Sequence, residues 1–222
     1  MTGTGPVITV RRWRSRRSAA AAGIAFAVLL MGALVMMRLA LAGGEVASIG
    51  SDPERQALVR VSLNLVPFAG IAFLWFIGVV RDQLGEVEDR LFSTVFLGSG
   101  LLFLATLFQG AVLSASLLEM LEDPPLDPGI WAFGRGAARA LVSVYSMRMA
   151  AVFTLSVSAL ALRTSALPRW VAASGLPVAL LLLVATSGRS WTELAFPTWV
   201  LVVSVAILVT RPRPPGVITP RG

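Results

Sequence analysis

Six stretches of nearly continuous apolar residues, separated by short polar segments, organise this chain: residues 19–42, 58–80, 91–121, 137–162, 168–186 and 191–210. A helix rising about 1.5 Å per residue crosses a hydrocarbon core of about 30 Å with roughly 20 apolar residues, so each stretch reads as a transmembrane span. Helix is the only secondary structure that fits, because backbone facing lipid must satisfy its own hydrogen bonds and no stretch alternates with period two as a barrel strand would. The pattern predicts an all-α fold, a polytopic membrane protein built as a six-transmembrane-helix bundle over residues 19–210. The third stretch exceeds a single upright crossing and is expected to tilt or protrude.

The intervening segments read as connections. In the first, Ser51-Asp52-Pro53-Glu54 has the form of a helix N-cap with proline at the first helical position. Residues 122–136 (EDPPLDPGIWAFGRG) contain three prolines and three glycines, which predicts an exposed, semi-rigid loop. The charged segment 81–90 holds four carboxylates, but their spacing matches no metal-binding loop, and self-pairing in water is the expectation. Residues 1–18 form a basic N-terminal tail, and residues 211–222 a tail rich in proline and arginine.

Composition sharpens this picture. The chain has 222 residues, 56% of them hydrophobic and 14% charged, yet it carries a formal charge of +7. All 19 cationic side chains are arginine, because the chain has no lysine, and it has neither histidine nor cysteine. Disulfides, thiolate or imidazole metal sites, Schiff-base chemistry and histidine bases are therefore excluded, along with a Walker A lysine and the H-E-x-x-H motif. No cofactor or metal site is expected, and no enzyme activity.

The positive-inside rule converts the arginines into an orientation. With a cytoplasmic N-terminus, the inner segments hold twelve arginines and the outer ones five, namely Arg55, Arg60, Arg135, Arg139 and Arg189. Both termini are thus expected in the cytoplasm, in the inner membrane of a bacterial cell. Arg11, Arg12, Arg14, Arg16 and Arg17, placed directly before the first span, are expected to contact anionic lipid rather than nucleic acid. The same run followed by Ala40-Leu41-Ala42 imitates a cleavable secretory signal, but the apolar stretch is too long and Arg38 interrupts it.

Ionisable and amide side chains inside a bilayer are costly, so each asks for an explanation. Arg148 lies about eleven residues, or roughly 16 Å, from the outer end of the fourth span, close to the midplane. Arg38, Asn64, Gln109 and Glu193 all fall in the outer halves of their spans, and Pro67 and Pro197 each stand a few residues from a polar member, where local helix distortion is expected to widen the outer half into a vestibule. The expectation is an outward-facing polar pocket lined by Arg38, Asn64, Gln109, Arg148 and Glu193. The competing expectation has Arg148 bonded to neighbouring helices as packing glue, while Arg38 and Glu193 reach to water. Small residues at helix-packing spacing, such as Gly110 with Ser114 and Ser143 with Met147 and Ala151, predict close helix approach within the bundle or a homo-oligomer.

The run Phe68-Ala69-Gly70-Ile71-Ala72-Phe73-Leu74-Trp75-Phe76-Ile77-Gly78-Val79-Val80-Arg81-Asp82, then Glu88-Asp89-Arg90-Leu91-Phe92, Val95-Phe96-Leu97-Gly98-Ser99-Gly100 and Phe196-Pro197-Thr198-Trp199-Val200-Leu201, resembles a group of small bacterial multi-pass membrane proteins of unknown function. The resemblance implies the six-span architecture and brings no site residues with it. Two functional expectations follow. The first is a non-enzymatic interaction or scaffold protein acting on membrane-protein partners; the second is a small transporter or a ligand- or lipid-binding protein using the pocket around Arg148.

Overall fold

Two Asp-Pro pairs start two of the helices. Asp52 Oδ1 accepts from the backbone N–H groups of Glu54 (3.0 Å) and Arg55 (3.3 Å), and Asp127 Oδ1 accepts from those of Gly129 (2.6 Å) and Ile130 (3.1 Å). In each case the proline follows at the first helical position, where its missing N–H costs nothing. The computed structural model describes residues 7–41, 52–84, 90–121, 127–164, 167–184 and 191–209. Among these residues there is no strand, and six helical segments follow in order: α1 (Val7–Leu41), α2 (Pro53–Leu84), α3 (Arg90–Met120), α4 (Pro128–Thr164), α5 (Arg169–Val184) and α6 (Trp191–Val209).

Five of the six are long and apolar enough to cross a membrane, α1, α2, α3, α4 and α6. α5 has 16 residues, about 24 Å at 1.5 Å per residue, and falls short of the roughly 30 Å core. The described residues therefore form an all-helical fold with five candidate membrane-spanning helices by length and composition.

Two expectations about boundaries change. α1 starts at Val7, so the backbone of the arginine-rich segment belongs to the first helix and not to a separate tail. No glycine or proline lies between Val7 and Ala22, and arginine is a good helix former, so nothing in the sequence stops the helix there. The loop expected over residues 122–136 is helical from Pro128, because Asp127 caps it, and α4 runs on through the whole fourth span. Residues 122–126 and half of the charged 81–90 segment (85–89) lie outside the described residues.

The helices close into a ring in which each packs on its sequence neighbours and α6 packs on α1. At the centre stands a cluster of phenylalanines. Phe73 from α2 meets Phe26, Phe103, Phe153 and Phe196 from α1, α3, α4 and α6 at centroid distances of 4.5, 5.2, 5.1 and 5.8 Å. All four pairs are tilted or edge-to-face, the arrangement the ring quadrupole favours. Glycine permits the closest helix contacts. A Cβ at Gly110 of α3 would come within 2.6 Å of Val142 Cγ2 on α4, and one at Gly175 of α5 would overlap Ser158 Oγ on α4. Between α3 and α4 the hydroxyls of Thr106 and Ser146 share a hydrogen bond of 2.8 Å, and Ser146 also donates to the Phe103 carbonyl at 3.3 Å.

Candidate cavity at one end of the bundle

Toward the end where α1 finishes and α2 begins, the helices part around a cavity of about 590 Å³. Its walls come from α1, α2, α3, α4 and α6, and α5 contributes no residue. The lining is mainly aliphatic: Leu30, Leu34 and Met37 from α1, Val59, Leu63 and Val66 from α2, and Leu107, Ala111, Leu117 and Leu118 from α3. Trp131 and Val142 of α4 and Trp191 of α6 complete the apolar surface.

Local departures from regular helix set the polar part of the wall. Leu141–Ser146 of α4 is a π-helical turn, a feature that frequently marks functional positions, and Ser143 lies inside it. Trp191–Leu194 opens α6 as a 3₁₀ turn and carries Glu193. Ser143 Oγ donates to Glu193 Oε1, and Arg38 Nη2 stands 3.3 Å from Glu193 Oε2. The Arg38 guanidinium also lies over the Trp191 ring, 5.0 Å from its centroid, a cation–π contact. Glu193 is only 7% exposed, and these two partners satisfy its carboxylate while tying α1, α4 and α6 together. At the start of α6 a carboxylate is also favoured by the helix dipole.

Two more arginines, Arg135 and Arg139 of α4, line the same cavity. The Ser62 and Ser114 hydroxyls in its wall donate to carbonyls of their own helices, Val59 at 2.7 Å and Gly110 at 2.8 Å. Trp131 is 7% exposed, and its indole Nε1 has no hydrogen-bond acceptor among the described residues.

Of the five residues expected to line a polar pocket, the structure brings together Arg38 and Glu193. Asn64, Gln109 and Arg148 are exposed on the outer surface of the bundle and do not line this cavity. Arg148 therefore fits neither expectation drawn for it, pocket or interhelical glue. The face that α4 buries carries Met147, Ala151, Thr154 and Ser158, and Arg148 falls on the opposite stripe together with Tyr145. The vestibule also has a different origin from the expected proline distortion: α2 continues through Pro67, Pro197 sits in the first α-helical turn of α6, and the irregular turns are the π and 3₁₀ segments.

Sequence reasoning missed Ser143 as a polar ligand of Glu193, and it missed Trp131, Arg135 and Arg139 as wall residues. A signal for the last three existed. Trp131, Arg135, Ala138 and Val142 are spaced four, three and four residues apart, one face of a helix, once Asp127-Pro128 is recognised as its start.

Fold and cavity together define a helical bundle with five helices long and apolar enough to cross a membrane, and an apolar cavity open at one side whose wall carries three arginines. No family model, curated protein or solved structure matches the chain.

Proposed function

We propose that this chain is an integral protein of the bacterial inner membrane, crossing six times with both termini cytoplasmic, and that it binds a small molecule or lipid in the cavity without chemical conversion. The observation that carries this reading is the cavity itself: about 590 Å³ with an aliphatic lining and a few convergent polar groups, within the 300–1,000 Å³ typical of ligand sites. The resemblance to six-span bacterial proteins and the even number of crossings required by two cytoplasmic termini support α5 as the sixth span. Native mass spectrometry of the protein released from membranes tests the binding reading. One non-covalent adduct per chain is expected, absent from an Ala111→Trp variant in which the indole fills the chamber. A wild-type chain free of adduct overturns the reading.

A second reading, an interaction or scaffold protein, is favoured by a separate observation. Arg148 and Tyr145 are exposed together on the outer face of α4, at a level where a lone arginine in lipid is costly. A partner helix offering a carboxylate or backbone carbonyls there would cover that charge. Arg148→Leu would then abolish a larger assembly on native gels while leaving the adduct in place; an unchanged assembly removes this reading.

A further inference from the structure

Resting on the ligand-binding reading, we infer that the occupant of the cavity is a single-chain amphiphile with an oxyanion head, carboxylate or phosphate. Charge gives the sign of the head. Three of the four ionisable residues in the wall are arginines, and the fourth, Glu193, is already engaged by Arg38 and Ser143. The Arg139 guanidinium meets no carboxylate among the described residues. Guanidinium groups take carboxylate and phosphate through their planar fork of donors, whereas a cationic head would meet a wall whose net charge is positive, the Arg38–Glu193 pair cancelling and Arg135 and Arg139 remaining.

Hydrogen-bonding capacity points to a head rich in acceptors. The wall hydroxyls of Ser62 and Ser114 spend their donors on carbonyls of their own helices and keep only acceptor lone pairs, and the one side-chain oxygen in the wall that is not a hydroxyl belongs to Glu193. Donors are in surplus, among them the Trp131 Nε1, which lacks an acceptor among the described residues. An acceptor-rich head with no donors of its own fits that imbalance.

Size gives the number of chains. A water or methylene group occupies about 30 Å³, so a cavity of about 590 Å³ holds on the order of 20 such units. That is one long alkyl chain with a small head, and about half of what a lipid with two such chains requires. From Leu107 to Leu118 the wall follows α3 for eleven residues, about 16 Å, so the chamber runs along the helix as a chain would.

Thermal unfolding of the purified protein in neutral detergent tests the inference, with hexadecanoate, hexadecyl phosphate, hexadecyltrimethylammonium, inorganic phosphate and dipalmitoyl phosphatidate as probes. The two single-chain anions should raise the midpoint saturably, and their relative affinities distinguish a carboxylate from a phosphate head. Inorganic phosphate and the cationic amphiphile should not. Arg135→Gln with Arg139→Gln should weaken the anions at least tenfold, and the milder Arg139→Gln alone at least threefold. If the cationic amphiphile stabilises the wild type but not Ala111→Trp, the oxyanion assignment falls while ligand binding stands. If phosphatidate binds more tightly than either single-chain anion, the single-chain assignment falls. If the amphiphiles shift wild type and Ala111→Trp alike, or shift neither, the cavity reading falls with it.

Discussion

Glu193 shows how a single carboxylate organises one end of the bundle. It is buried, bonded to Ser143 and paired with Arg38, so removing one partner leaves a polar group without its counterpart. Glu193→Gln or Arg38→Met should each destabilise the protein by about 1–3 kcal/mol in reversible unfolding from mixed micelles. The double variant Arg38→Met with Glu193→Leu should recover most of that loss, because an apolar pair of similar volume avoids the desolvation penalty. Ser158 behaves in the opposite way: its buried hydroxyl has no hydrogen-bond partner among the described residues, so Ser158→Ala should be neutral or slightly stabilising. Gly175→Ala, which forces a methyl group against Ser158, should cost about 1–3 kcal/mol. At this scale the sequence revealed which residues are expensive in a bilayer but not which way they face. Arg38 and Glu193 could be paired on depth alone, whereas Arg148, Asn64 and Gln109 depend on which stripe of each helix is buried, and that is decided by packing against other helices.

α4 is the element on which the cavity depends most. Its first half presents Trp131, Arg135, Arg139 and Val142 to the chamber, while its second half packs Met147, Ala151, Thr154 and Ser158 into the core. The π turn at Leu141–Ser146 joins the two halves and carries Ser143 to Glu193 and Ser146 to Thr106. Deleting Val144 should restore regular α geometry while leaving the two halves in nearly their present register, because a π turn absorbs one extra residue, and should draw Ser143 away from Glu193 in the chamber wall. Loss of hexadecanoate-induced stabilisation, with helical circular dichroism retained, is the expected result; retained binding would mean that the stripe does not need the π turn. Apolar periodicity and the Asp52-Pro53 start were legible in the sequence, and Asp127-Pro128 was written in the same signal. The π turn was not, because Leu141-Val142-Ser143-Val144-Tyr145-Ser146 contains no glycine or proline that would compel it.

Across the whole molecule, the charge that looked at odds with so apolar a chain is concentrated in arginines near the ends of the helices, and three of them meet at one cavity. The all-helical class was fully legible, since only helices can satisfy backbone in lipid with this pattern. The sixth crossing rests on the proposed topology: single cysteines at Ile218 and Ser51, introduced into the cysteine-free chain, should label from opposite sides of the membrane, and labelling from the same side would refute it. The cavity was only half legible, because the sequence marks its charges while its volume comes from gaps between helices that no local pattern encodes. Its occupancy can be measured directly at Ser114, a wall residue in a chain with no native thiol. In Ser114→Cys, a small water-soluble methanethiosulfonate reagent should modify the thiol, and saturating hexadecanoate should slow the reaction at least tenfold while leaving a Ser51→Cys control, between the first two spans, unchanged. A thiol at position 114 that is unreactive, or that reacts at the same rate with hexadecanoate present, would contradict a ligand-binding chamber.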